Sequence, residues 1–184
     1  MSKIEQLLVH IQSIFPDKIL ADYYDKTKEK EIWIEDSEKA NKILPHTILP
    51  EELPVEKTFK IENPDTKDII ILAVDGNGIV GTSQSSCDAA FFDNTCFCLA
   101  EFKYNATSDS QNAVDRNIRK GTDQLELTIQ KFETDKILPM GYKLEAYFGK
   151  PLIYPRTNPK LQRRAARFSN NYKVTLREAN VKLF

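Results

Sequence analysis

The sequence predicts an α/β fold in which a mixed β-sheet is flanked by helices. Three observations carry that expectation. Residues 68–74, D-I-I-I-L-A-V, form an apolar run without a polar face, as a strand covered on both sides would. Val114, Ile118, Gly121, Leu125, Ile129 and Phe132 recur at three- and four-residue steps, the stripe of a long helix. Between them, residues 87–103 read C-D-A-A-F-F-D-N-T-C-F-C-L-A-E-F-K. These are two apolar runs around Asp93-Asn94, a dipeptide that tolerates the positive φ of a hairpin turn.

The elements follow in chain order. Ile4, Leu7, Leu8, Ile11, Ile14 and Phe15 predict an amphipathic helix ended by Pro16, with Glu5 and His10 off its stripe. Residues 17–42 are dense in charge, with Tyr23, Tyr24, Trp33 and Ile34 as apolar anchors. The K-T-K-E-K-E run at 26–31 reads as a solvated turn or helix face, and residues 37–40 as a short helix start. Pro45, Pro50 and Pro54 punctuate an irregular connection. Strands are expected at 58–61 and 68–74, the second stopped by the hairpin signal D-G-N-G at 75–78, with a polar loop at 81–86. Ser108 with Gln111 forms a capping-box pattern before the long helix. Gly121 on its buried stripe lowers helix propensity by about 1 kcal/mol and implies close backbone approach to the sheet. Residues 142–148 alternate as a further strand. A short basic helix at 161–168 and edge strands at 173–176 and 181–184 complete the chain.

At 184 residues, with 41% hydrophobic and 29% charged, the composition is that of one ordinary globular domain able to bury its own core. No apolar run approaches the roughly 20 residues of a membrane span, and the first five residues do not open a signal peptide. No membrane partner and a cytoplasmic location are therefore expected. Cys87, Cys96 and Cys98 read as buried small hydrophobes, because C-x-C without further Cys or His nearby makes a poor zinc site. With only His10 and His46, both distant, histidine-based triads find no support.

The charged residues of the hairpin are Asp88, Glu101 and Lys103. Glu101 and Lys103, two apart, project from one face of their strand. A turn centred on Asp93-Asn94 sets Phe92 opposite Thr95 and Asp88 opposite Leu99, making Asp88 a diagonal neighbour of Glu101. A one-residue slip would send Asp88 to the other face. Two carboxylates and one ammonium are thus expected on one patch of sheet. Charge is also divided along the chain: residues 1–100 carry 10 Lys/Arg against 18 Asp/Glu, and residues 101–184 carry 16 against 9. A basic second half is suited to a polyanion, although the halves could equally neutralise each other across one fold.

An Asp at one strand, a hairpin, Glu-x-Lys on the next strand and a helix resemble the restriction-endonuclease-like PD-(D/E)xK nuclease superfamily. The matching residues are Asp88, then Glu101-Phe102-Lys103, within residues 68–148. Gln124, in D-Q-L-E-L, matches a glutamine that many members carry on the following helix. The chain departs from the strict motif in having Cys87 where a proline would precede Asp88. The resemblance implies a restriction-endonuclease-like mixed β-sheet flanked by helices. It divides one domain into an N-terminal helical elaboration (1–57), a nuclease-like core (58–150) and a basic C-terminal elaboration (151–184).

It also implies metal-dependent phosphodiester hydrolysis, with DNA endonuclease activity the leading expectation. Such hydrolysis needs a metal to neutralise charge growing on the phosphoryl oxygens and to acidify a bound water. Mg²⁺, or Mn²⁺ in its place, is hard and takes oxygen ligands. Asp88 and Glu101 would hold it, with the Phe102 carbonyl as a third ligand by analogy. Lys103 would assist the attacking water or the transition state as a point charge, and Gln124 would join the site. Asp75 reads as a turn residue that could lie near the metal, and Asp93 as a turn residue. Arg116, Arg119 and Lys120 on the long helix, with Arg156, Lys160, Arg163, Arg164 and Arg167 later, are the candidates for phosphate contacts. Nucleic acid, DNA foremost, is the expected partner. A homodimer is a further possibility, since nucleases that cut both strands often dimerise. The alternative is a catalytically silent protein of the same fold that binds nucleic acid or protein.

Overall fold

The apolar run at residues 69–73 lies inside a six-stranded sheet, every one of its five residues buried. The computed structural model describes residues 1–138, 140–154 and 158–184. In chain order the elements are α1 (Lys3–Ile14), β1 (Tyr24–Thr27), β2 (Glu31–Ser37), β3 (Lys42–His46), β4 (Thr58–Glu62), β5 (Ile69–Ala73), β6 (Ala89–Phe92), β7 (Cys96–Phe102), α2 (Gln111–Thr134), β8 (Lys143–Gly149), α3 (Pro159–Tyr172), β9 (Thr175–Glu178) and β10 (Val181–Leu183). The fold is α/β, with mixed sheets and three helices.

The larger sheet has the order β1-β5-β6-β7-β8-β9. Strands β1, β5, β6 and β7 pair antiparallel, whereas β7–β8 and β8–β9 are parallel and are connected through α2 and α3. Because α2 joins two parallel strands, it runs back along the sheet, and its first half lies at the carboxyl end of β7. The helices cover one face of this sheet. Ile4, Leu7 and Ile11 of α1, Val114, Ile118, Leu125, Ile129 and Phe132 of α2, and Leu161 and Phe168 of α3 share one core with Ile70, Leu72, Phe92, Phe97 and Leu99. The other face packs against a four-stranded sheet of order β10-β4-β2-β3, through Ile32, Ile34, Phe59 and Ile61 against Ile69, Ile71, Phe91 and Tyr147. Among the described residues no helix is long and apolar enough to cross a membrane.

Several expectations are corrected. Residues 17–57 contain strands rather than α-helices: β1 extends the large sheet at its edge, and β2 and β3 build half of the small one. The stretch at 37–40 closes the β2–β3 hairpin instead of starting a helix, and Pro45 lies within β3, an edge strand, where its missing N–H costs least. Residues 75–78 do turn, with Gly76 at φ +58°, but no tight hairpin follows. A connection running to Asp88 separates β5 from β6, and a Cβ at Gly76 would meet the Asn41 carbonyl oxygen at 2.1 Å. Helix α2 starts at Gln111, with Ser110 as its N-cap rather than Ser108. The two edge strands expected near the C-terminus are present, β9 pairing with β8 at one edge of the large sheet and β10 with β4 at one edge of the small one.

The hairpin register is also corrected. Phe92 pairs with Phe97 and Ala89 with Ala100, which leaves four residues, 93–96, beyond the last pair of the ladder. The Asp93 carboxylate accepts from Thr95 N (2.7 Å), Thr95 Oγ1 (2.8 Å) and Cys96 N (2.7 Å), and Asn94 Oδ1 accepts from Ile4 N in α1. A two-residue shift preserves the faces of the pleat. It moves Asp88 from a diagonal position to one directly across from Glu101.

Candidate functional site

Asp88, Glu101, Lys103 and Gln124 meet at the carboxyl end of β7. Two side chains of α2 fix the approach to Asp88: Gln124 Nε2 donates to the Ser86 carbonyl (3.0 Å), and Thr128 Oγ1 accepts from Cys87 N (2.7 Å). Asp88 Oδ2 then accepts from Phe102 N at 2.6 Å, locking the aspartate to the strand that carries Glu101. The Phe102 side chain turns to the opposite face and stacks on Tyr104, with ring centroids 5.4 Å apart.

Glu101 lies beneath α2 at Gly121. A Cβ there would stand 2.5 Å from Phe148 Cε2 and 3.1 Å from Glu101 Cγ, so the glycine stripe position lets the helix backbone close over the carboxylate. Glu101 is 0% exposed. Its Oε1 pairs with the Lys103 ammonium, while Oε2 is buried and makes no hydrogen bond. Lys103 Nζ also donates to Gln124 Oε1 at 3.1 Å, so Gln124 bridges the lysine to the loop before Asp88.

Two further carboxylates enter from outside the hairpin. A cavity of about 130 Å³ beside Asp88 is lined by Asp36, Asp75, Asn41 and Thr82 among others. Asp36 continues the row of Ile32 and Ile34 on the face of β2 that looks toward the large sheet. It was not foreseen; the one signal was a carboxylate ending a buried alternating row. Asp75, a turn residue by its sequence, also borders this cavity.

The electrostatics follow from crowding. Burial pushes the Asp88 carboxyl up to about 7, and the Asp36 charge adds to that against the hydrogen bond from Phe102. Burial, then the Asp88 charge, hold Glu101 well above the usual carboxylate range, although Lys103 acts the other way. Burial likewise raises Asp36, partly offset by Lys103. For Lys103 itself burial favours the neutral amine, but Glu101, Asp88 and Asp36 outweigh it and the net direction is up.

The cations named from the sequence divide into two groups. Lys160 pairs with Asp115, Arg164 with Asp123 (2.7 Å) and Arg167 with Glu126 (2.6 Å), so these residues bind α3 to α2. Arg116, Arg119, Lys120 and Arg163 are exposed and make no ion pair within 4 Å among the described residues. Arg116, Arg119 and Arg163 line a cleft of about 460 Å³ between the first halves of α2 and α3, together with the paired Lys160, Arg164 and Arg167. Lys120 stands outside it, and Arg156 lies outside the described residues.

Among the described residues, the three metal-ligating side chains whose donor atoms all lie within 4.8 Å are Cys96, Cys98 and Glu145, a spacing that could hold a metal ion. All three are buried, on the face of the large sheet away from the helices. The carboxylates around Asp88 do not draw together that closely. Comparison with family models, curated proteins and solved structures finds no match to this chain.

Proposed function

We propose that the chain is a metal-dependent phosphodiesterase of the restriction-endonuclease-like PD-(D/E)xK type, acting on nucleic acid, with DNA as its first substrate class. The observation that carries the reading is the buried Glu101 Oε2 without a partner, across the ladder from Asp88. A buried carboxylate oxygen with nothing to accept from costs several kcal/mol in a fold that could have placed an apolar residue there. A hard divalent cation answers that cost, and carboxylates with retained waters are the donor set of Mg²⁺ or Mn²⁺. The run β5, β6, β7, α2, β8 supports this reading, since Asp88 immediately precedes β6, Glu101 lies in β7 and Lys103 follows it before α2.

The residues present fit the metal. Asp88 and Glu101 would hold it, with the Phe102 carbonyl close by in sequence and Asp36 and Asp75 adding negative charge at the adjoining cavity. A bound divalent cation supplies charge neutralisation at the phosphoryl oxygens and a more acidic water. The protein's own part is positional. Lys103, held between Glu101 and Gln124, presents a fixed positive charge where negative charge grows on the phosphoryl group. Gln124, through Ser86, ties the lysine to the segment that carries Asp88. Arg116, Arg119, Lys120 and Arg163 would take flanking phosphates, since the first halves of α2 and α3 lie at the same end of the sheet as the carboxylates.

One observation favours a second reading, a catalytically silent nucleic-acid- or protein-binding protein of this fold. Glu101 is sealed and already paired with Lys103. Incubation of the purified protein with plasmid and labelled oligonucleotides, with Mg²⁺ or Mn²⁺ and with chelator, separates the two. The nuclease reading predicts metal-dependent cleavage reduced at least about 100-fold by Glu101→Ala and by Lys103→Ala, because such groups act as a unit. Binding without cleavage selects the silent reading, and cleavage indifferent to both substitutions removes the assignment.

A further inference from the structure

Cys96 and Cys98 point away from Glu101, into the core between the two sheets, so their chemistry is separate from the site above. Their sulfurs are 3.5 Å apart. Cys98 is sealed, whereas Cys96 lines a cavity of about 270 Å³ together with Lys67, Lys143 and Lys182. Beside the sulfurs, Glu145 accepts from Tyr147 Oη (2.7 Å), Lys182 Nζ (2.9 Å) and Arg177 (3.2 Å), and it pairs with Lys143 at 2.8 Å. Its oxygens are therefore committed.

Lys143, Arg177 and Lys182 surround Glu145, and Lys67 stands 4.0 Å from Asp93 at the same cavity, so four cations against two carboxylates leave an excess of positive charge near the thiols. That excess opposes a divalent cation and favours a thiolate, above all at the one sulfur that reaches the cavity.

We propose that Cys96 and Cys98 are a redox pair, in which a hydroperoxide entering this cavity oxidises Cys96 and Cys98 resolves it as an intrastrand disulfide. The Cys96 thiolate attacks a peroxide oxygen, forming an S–O bond and breaking O–O, and the departing alkoxide or hydroxide takes up a proton. Cys98 then gives up its proton and attacks the Cys96 sulfur. The S–S bond forms as hydroxide leaves, and that hydroxide departs as water with the Cys98 proton. Two thiols lose two electrons and one hydroperoxide is reduced to water and an alcohol, or to two waters. Two residues along a strand span about 6.6 Å, near the upper limit for bridged cysteines, so the bond is of the labile, readily reduced kind.

The test treats the folded, full-length protein with excess hydrogen peroxide, alkylates it in denaturant and reads the peptide masses. The expected result is alkylation at Cys87 alone, a loss of two hydrogens between Cys96 and Cys98, and full recovery with dithiothreitol. In Cys98→Ser, Cys96 is expected to appear as a sulfenic acid captured by dimedone, while Cys87→Ser still forms the disulfide. Three alkylated cysteines after peroxide would overturn the proposal. So would a disulfide that includes Cys87, or pairing no faster in the folded chain than in urea.

Discussion

Asp88 sits where burial and the neighbouring Asp36 oppose its charge, which ties stability to pH. Its carboxyl titrates near 4 when unfolded and at about 7 in the fold, so between those values the native state holds a proton that the unfolded chain does not. The stabilisation is full below about pH 4 and lost as pH rises through 7, and Glu101 and Asp36 shift in the same direction. In chelator, the melting temperature is therefore expected to fall between pH 5 and pH 8. A rising or flat profile would contradict these environments. At pH 8, Asp88→Asn is expected to raise the stability of the metal-free protein, by at most about 4 kcal/mol, while abolishing cleavage. Unchanged melting together with unchanged activity would show that this carboxylate is neither strained nor used.

At the scale of elements, the site depends on how closely α2 approaches the sheet. Gly121→Ala recovers about 1 kcal/mol of helix propensity, yet it places a methyl group within 2.5 Å of Phe148 and 3.1 Å of Glu101. Overpacking of this kind typically costs about 1–3 kcal/mol, so net destabilisation and loss of activity are expected in chemical denaturation and cleavage assays. A more stable, active variant would mean the helix can lift away freely. The glycine on a buried stripe was legible in the sequence, as were the covered strand β5, the hairpin β6–β7 and the helix α2, because each rests on local periodicity. Strands β1 to β3 were not, since β1 and β3 are short, largely polar or half-exposed edge strands and the alternation of Ile32 and Ile34 in β2 is only two steps long. The hairpin register was missed for a local reason. Asp93 turns its carboxylate back onto Thr95 and Cys96, so four residues lie beyond the last pair of the ladder where the dipeptide alone suggests two. Asp36 was illegible because only the packing of one sheet on the other brings it to Asp88.

Across the whole molecule, the cations of α2 and α3 sort into those that pair with carboxylates and those that make no ion pair among the described residues. Arg164 and Arg167 meet Asp123 and Glu126, so Arg164→Ala is expected to loosen α3 and lower the melting temperature more than it weakens nucleic-acid binding. Arg116, Arg119 and Arg163 make no ion pair among the described residues. Replacing all three with alanine is expected to leave melting unchanged and to reduce the slope of log K against log salt for DNA by about 3, read by fluorescence anisotropy. An unaltered slope would move the phosphate contacts elsewhere. On the proposed reading Asp88 and Glu101 share one divalent cation, and anomalous diffraction from a crystal grown in Mn²⁺ would observe that ion itself. A single peak bridging the Asp88 and Glu101 carboxylates, lost in Asp88→Ala, is the predicted result. Manganese absent from that end of the sheet, or seated instead at Cys96, Cys98 and Glu145, would contradict it.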